Sequence, residues 1–192
     1  MDQESSHTQN MISVLRIILL VVQSVLLIFV MLNLRTISQK INSISMISQA
    51  DQVESLVGTQ AIDFVLTDVM EDQISLSDYR GQPVLLAFTS HTCSACQEMY
   101  PGLLEFTKGN ADIEIFIISM NSINENIQFQ EEFGFSGYSN LHVLSATSEV
   151  FEQYSIIGTP SFIVVDKEGK IVKTGNARTA DQIVELTEGI SQ

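Results

Sequence analysis

Phe88-Thr89-Ser90-His91-Thr92-Cys93-Ser94-Ala95-Cys96-Gln97-Glu98-Met99-Tyr100-Pro101 holds the only two cysteines of the 192-residue chain. Their spacing is C-x-x-C. An apolar run, Pro83-Val84-Leu85-Leu86-Ala87-Phe88, precedes them and a helical pattern follows, so the pair sits at a strand-to-helix junction. Two cysteines three apart at a helix start can close a small disulfide ring. At that place unpaired N–H groups and the positive end of the helix dipole stabilise a thiolate on the first sulfur. This is the working part of a dithiol–disulfide exchanger. A structural zinc site needs about four ligands, and the chain offers no second C-x-x-C and only the scattered His7, His91 and His142. A purely structural disulfide is a poor alternative, because a ring this small restricts the unfolded chain little. Inert buried thiols do not suit a junction that exposes the first sulfur.

Outward from the junction the pattern is that of an α/β domain. Asp63-Phe64-Val65-Leu66 and Gln73-Ile74-Ser75-Leu76 predict a hairpin around the polar turn Asp68 to Asp72. Pro83 to Phe88 is a buried strand, and the helix after Cys93 runs to about Thr107, with Pro101 expected to kink it. Ile113 to Ser119 is a continuous apolar strand of parallel-sheet type. A helix near Ile123 to Phe133, a short strand at Leu141 to Leu144 and a short helix at Val150 to Tyr154 follow. In Ile157-Gly158-Thr159-Pro160-Ser161-Phe162-Ile163-Val164-Val165 the proline marks a strand's first residue or a bend, since it cannot donate to a ladder. Asp166 to Lys170 turns into a strand at Ile171 to Thr174, and Ala180 to Ile190 is a closing amphipathic helix. The order predicts a mixed sheet with helices on both faces.

Before this domain, 18 uncharged residues lie between Arg16 and Arg35. At 1.5 Å per residue they just span a bilayer, and Met11 to Leu15 extend the run. A cleaved signal peptide fits less well. Asp2 and Glu4 dilute the basic leader, the apolar run is too long, and no small-x-small site follows Leu34. The expected organisation is an N-terminal tail (1–10), a transmembrane helix (11–34), a helical stalk or linker (35–57) and a globular domain (58–192). Ile37, Ile41, Ile44 and Ile47 give the stalk its helical spacing. Lys and Arg flank both ends of the span and do not by themselves place the domain outside. The placement outside, on the periplasmic or outer face of the cell membrane, comes from function, because a tethered thiol exchanger works where disulfides form.

Net charge is −14, and from Ser55 onward there are 19 acids against 6 Lys and Arg, the sign opposite to that which nucleic acid requires. An anionic lipid surface is disfavoured as a partner of this domain for the same reason.

Strand, C-x-x-C helix, Gly-Thr-Pro, hairpin and terminal helix together resemble the thioredoxin fold, a three-layer α/β arrangement with a central mixed sheet. Gly58-Thr59-Gln60-Ala61-Ile62-Asp63-Phe64-Val65-Leu66 followed by Ile74 to Leu86 resembles the opening of the TlpA-like, redoxin-type branch of membrane-tethered bacterial thiol–disulfide oxidoreductases. Ser90-His91-Thr92-Cys93-Ser94-Ala95-Cys96 is most similar to MauD-type proteins, which assist maturation of a disulfide-rich enzyme subunit in methylamine utilisation. The resemblance implies roles. Cys93 is the exposed attacking thiol and Cys96 the buried resolving thiol. Pro160 is the cis-proline facing them, and the Thr159 backbone pairs with an extended substrate segment. Thr92 and His91 border the substrate. The expected partners are a disulfide-bearing extracytoplasmic protein and a membrane electron donor or acceptor. No bound cofactor and no metal are expected.

The departures from that pattern are specific. Ala95 replaces the proline common between such cysteines, and Thr92 replaces a frequent Trp. The buried Asp of thioredoxin would fall at Ala87, and the Glu of many TlpA-like members is here Met99. Glu98 lies one residue away, on another part of the helix surface. His91 is either a cation that tunes Cys93 or a plain loop residue, and His142 is a structural or a surface residue. The alternative function is a non-catalytic maturation factor or chaperone that binds extended segments at the Thr159-Pro160 groove. A peroxiredoxin would want Pro where Leu86 stands, and a copper chaperone of the C-x-x-x-C kind would need one more residue between the cysteines.

Overall fold

The computed structural model describes residues 56–190, together with residues 23, 26, 27 and 29–31 of the N-terminal segment. The predicted tail and nearly all of the predicted span and stalk lie outside the described residues. The six described residues of the span are helical and exposed, Leu26, Leu27, Phe29 and Met31 among them. Among the described residues no helix is long and apolar enough to cross a membrane.

The globular part is built on β3, Val84–Phe88, in which every residue is at most 2 % exposed. A strand turns successive side chains to opposite faces. Leu85 and Ala87 therefore enter one apolar layer, while Val84, Leu86 and Phe88 enter the other. Ahead of it come β1 (Val65–Asp68), β2 (Gln73–Ser75) and a 3-10 turn at Leu76–Tyr79. After it come α1 (Ser94–Gly109), β4 (Glu114–Ser119), α2 (Ile123–Phe133) and β5 (Leu141–Ser145). The chain ends with α3 (Ser148–Gln153), β6 (Ser161–Val165), β7 (Ile171–Gly175) and α4 (Ala180–Thr187).

These strands make one seven-stranded sheet in the order β2-β1-β5-β4-β3-β6-β7. The β3–β4 and β4–β5 pairs are parallel, and the other pairs are antiparallel. The units β3-α1-β4 and β4-α2-β5 step across the sheet in the same direction. Right-handed crossovers then place α1 and α2 on the same face, where Cys96, Met99, Tyr100, Leu103 and Phe129 share one core with Ile183 of α4. Val150, Phe151 and Tyr154 cover the opposite face with Phe64, Leu66 and Leu76. Burying one such phenylalanine is worth about 2–3 kcal/mol.

Helix ends are set locally. Ser122 and Glu125 form a capping box at the start of α2, and Gly134 ends it at φ 71°. Gly102 lets α1 approach the start of α4, since a Cβ there would meet the Ala180 nitrogen at 2.7 Å. The first strand begins at Val65 rather than Asp63. The Asp63 carboxylate instead accepts from the Ser77 and Phe64 N–H groups, fixing the start of the 3-10 turn. Helix α1 runs two residues past Thr107, continuing through Pro101, and α4 stops at Thr187.

Candidate active site

The register of β3 against β6 puts Phe88 opposite Ser161. The chain leaving β3 through Thr89 to Thr92 therefore runs beside the Thr159–Pro160 peptide entering β6, and that peptide is cis. Cys93 is the N-cap of α1, in extended backbone geometry, and its sulfur accepts from the Cys96 N–H at 3.3 Å. The Cys93 carbonyl accepts from the Cys96 and Gln97 N–H groups at 3.0 and 3.1 Å. On its other side the Cys93 thiol donates to the Thr159 carbonyl at 3.2 Å. The preceding loop is pinned at several points. The Cys93 N–H donates to Ser90 O at 3.1 Å, Gln97 Nε2 donates to His91 O at 2.9 Å, and the Ser90 and Thr92 hydroxyls pair at 3.1 Å.

Both cysteines are free thiols, and their surroundings differ. Cys93 is half-buried. Burial pushes its thiol up, but hydrogen bonds from the side chains of Cys96 and Thr159 and from the N–H groups of Cys96 and Ala95 outweigh this and leave it below the ordinary value. Cys96 is fully buried. Burial, and then the hydrogen bond it gives to Cys93, push it up to about 11. One sulfur has the lowered pKa that suits a nucleophile and leaving group, and the other is held as a protonated thiol. That division is what sequential thiol–disulfide exchange requires.

The residues singled out in the sequence fall as follows. Cys93, Cys96, Thr159 and Pro160 converge. Thr92 is exposed beside them. His91 does not aim at Cys93. Its ring stacks on Phe129 of α2, with centroids 4.3 Å apart and planes 18° apart, and its Nε2 is buried without a hydrogen-bond partner. Burial lowers its pKa, against the pull of Glu125 and Glu132, so the ring is neutral at pH 7 and supplies no cation. Glu98 is exposed and lies 3.9 Å from Arg178, a solvated pair worth little. Met99 and Ala87 are wholly apolar-packed.

Sequence reasoning missed two features. A cleft of about 550 Å³ is lined by Thr89, Ser90, Met120, Phe151, Ile157 and Thr159, the last of which takes the Cys93 thiol on its carbonyl. Met120 and Ile157 are exposed there, at 59 % and 60 %. The loop carrying Met120 is anchored by a buried chain in which Ser119 donates to Asn126 and Asn126 donates to Ser145, each at 2.9 Å. The second feature is a pair of buried hydroxyls, Thr89 and Tyr100, close to one another, with Tyr100 near enough to the two cysteines to feel their charge. The available signals were the exposed apolar residues just past β4 and before Pro160, and the i, i+4 spacing of Cys96 and Tyr100. Among the described residues no group of three or more His, Cys, Asp and Glu is placed to hold a metal ion.

Residues 57–174 match the AhpC/TSA family. The thiol-disulfide oxidoreductase ResA of Halalkalibacterium halodurans is 27 % identical over 136 residues, 71 % of this chain and 77 % of that protein. The methylamine utilization protein MauD of Methylophilus methylotrophus is 29 % identical over 112 residues, 58 % of this chain and 51 % of MauD. Among solved structures, a thiol:disulfide interchange protein from Bacteroides sp. is 27 % identical, with a TM-score of 0.60 over 71 % of this chain and 91 % of the other.

Proposed function

The chain belongs to the AhpC/TSA family and is a thiol–disulfide oxidoreductase of thioredoxin-like fold, and from that premise we propose that it serves the maturation of a disulfide-bearing partner protein outside the cytoplasm, tethered to the cell membrane by its N-terminal apolar run. Cys93 attacks a sulfur of the partner's disulfide. The partner's S–S bond breaks, its second sulfur leaves with the electron pair and takes up a proton, and a Cys93–partner mixed disulfide forms. Cys96 then attacks the Cys93 sulfur, forms the Cys93–Cys96 disulfide and releases the partner as a thiol. A membrane electron donor returns the pair to its dithiol form. With a membrane acceptor instead, the same steps run in reverse and introduce disulfides.

The observation that carries this reading is the asymmetry of the two thiols, one half-exposed and below its ordinary pKa, the other buried and at about 11. The likeness to ResA supports the exchange chemistry, and the likeness to MauD supports a role in service of another protein. The exposed apolar side chains on the N-terminal helix support the tether, since such residues in a row are a lipid-facing pattern. The partner's segment enters beside Thr159 as an added strand, and its side chains rest in the cleft between Met120 and Ile157.

A Cys96→Ser variant of the full chain tests this in membranes, because it cannot resolve. It is expected to accumulate a Cys93-linked mixed disulfide with an extracytoplasmic protein, absent from the Cys93→Ser,Cys96→Ser double variant. A Cys93→Ser chain that still supported the partner's maturation would replace this reading with the non-catalytic chaperone.

A further inference from the structure

In the exchange just proposed, Cys96 must become a thiolate in a buried place, and neither of the expected carboxylates is there, Ala87 and Met99 being both 0 % exposed. We propose that the hydroxyls of Tyr100 and Thr89 take that place, donating hydrogen bonds to the Cys96 sulfur as its negative charge forms.

Three placements support this. Thr89 continues β3, its N–H donating to Ile118 O at 2.9 Å. Strand alternation then turns its side chain to the same face as Leu85 and Ala87, the face that packs on α1. Tyr100 follows Cys96 by four residues on α1, and helical side chains lean toward the N-terminus, so its ring leans over Cys96. Both residues are 1 % exposed, and neither hydroxyl is well used in the reduced protein. Thr89 Oγ1 is buried without a partner in hydrogen-bond geometry, and Tyr100 Oη donates to Ser90 O at a long 3.5 Å. Buried hydroxyls without partners are uncommon and lower stability.

The electrostatics agree. Burial raises the Tyr100 pKa, Thr89 opposes it, and the Cys96 and Cys93 sulfurs, when charged, raise it further. Thr89 is thus close enough to Tyr100 to act on it while falling short of hydrogen-bond geometry. Tyr100 keeps its proton and remains a donor. Besides burial, the groups acting on Cys96 are Cys93, the Thr159 side chain and the Ser90 backbone, the last two already favouring its thiolate; on Tyr100 they are Thr89 and the two cysteine sulfurs. His91, on the neighbouring loop, is turned onto Phe129 under α2 with Glu125 and Glu132.

In the resolving step the Cys96 proton passes to water. Its sulfur forms the bond to Cys93 while the Cys93–partner bond breaks, and the partner's sulfur leaves with the electron pair and gains a proton. The two hydroxyls keep their protons and only stabilise the forming charge.

The test uses the full-length chain and a chromophoric peptide disulfide. Mixed-disulfide formation is timed in a Cys96→Ser background, and release is timed with Cys96 present, from about pH 6 to about pH 10. Tyr100→Phe keeps the packing and removes one hydroxyl. It is expected to slow release about tenfold, as for a hydrogen bond to a charged group. It should also move the release profile to higher pH and leave the Cys93 step within about twofold. Thr89→Val should slow release by about threefold, with Thr89→Ser restoring it. Unchanged release rates and profiles in Tyr100→Phe and Thr89→Val would overturn the proposal. Should Tyr100→Phe not fold, the Thr89→Val and Thr89→Ser pair decides alone. A parent chain whose Cys93 does not attack the peptide at all would instead overturn the exchange reading on which this one rests.

Discussion

The half-buried polar group that ties the 3-10 turn to the sheet and the polar groups around the thiol pair are treated in opposite ways. At the N-terminal ends of β4 and β5, His142 Nε2 lies 3.0 Å from Glu114 Oε2 and 3.3 Å from Tyr79 Oη, and the Tyr79 ring packs edge-on against both Phe116 and His142. Every member of that group is partnered, and it ties the 3-10 turn to the central sheet. At the other end of the sheet, past β3, His91 Nε2 and Thr89 Oγ1 are buried without partners and the Cys96 thiol is driven up to about 11. Buried polar groups are nearly always satisfied in folded proteins. The fold meets that demand in the His142 group and in the Ser119–Asn126–Ser145 chain, and leaves it unmet at Thr89 and His91 beside the thiol pair. Departures of this kind collect at functional sites, where local stability is given up for reactivity.

The contrast is sharpest in the thiols. At pH 7 iodoacetamide is expected to modify Cys93 faster than an ordinary cysteine and to spare Cys96 almost wholly. With Cys96 near 11 against an ordinary 9.0, its thiolate fraction at neutral pH is about a hundredfold lower. Peptide mapping after timed alkylation checks it, and equal labelling of both cysteines would break the comparison. The stability of the reduced protein follows the same shifts with opposite signs. Cys96 has a folded pKa above its unfolded value, so its contribution is complete below about pH 9 and is lost as pH rises through about 11. Cys93 has a folded pKa below its unfolded value, so its contribution is present above the ordinary thiol pKa and is lost as pH falls through the lowered one.

Removing a partnered group and removing an orphan should move stability in opposite directions. His142→Ala leaves Glu114 and Tyr79 without their shared partner and is expected to cost about 1–2 kcal/mol in urea unfolding, with exchange rates unchanged. Thr89→Val deletes an unpartnered hydroxyl and keeps the shape of the side chain. It is expected to leave stability unchanged or raise it by up to about 1 kcal/mol. A Thr89→Val chain that unfolded as readily as His142→Ala would mean that Thr89 is satisfied after all.

Most of the strand and helix order was legible because β3, β4 and β6 are continuous apolar runs, and because α1 and α2 carry helical spacing between turn residues. The C-x-x-C at a strand-to-helix junction named its own chemistry, and the Gly-Thr-Pro stretch marked the start of β6. The errors lie where one side chain decides a local hydrogen bond. Asp63 reads as a strand residue until its carboxylate is seen taking the Ser77 N–H. His91 reads as a loop residue near Cys93 until α2 supplies Phe129 beneath it, a contact between residues 38 apart in sequence that no local pattern announces. Tyr100 was hidden by the same logic, since a tyrosine on the apolar stripe of a helix reads as core, and so it is, except at its hydroxyl.

His91 offers the smallest and most local test. Its folded pKa lies below the ordinary 6.5 because burial on Phe129 disfavours the imidazolium, while Glu125 and Glu132 of α2 draw the other way. A base with a depressed folded pKa contributes stability that is present above its unfolded pKa and is lost as pH falls through the folded one. His91→Phe retains a ring on Phe129 and removes both the titration and the orphaned nitrogen. Its melting temperature should therefore fall less than that of the parent between about pH 7 and about pH 5, by about 2 °C. Because the neutral ring gives Cys93 no charge, the rate of Cys93 alkylation at pH 7 should stay within about twofold of the parent. A large loss of Cys93 reactivity in His91→Phe would mean that the imidazole supports the thiolate, which would place His91 in the chemistry rather than in the wall that holds the loop.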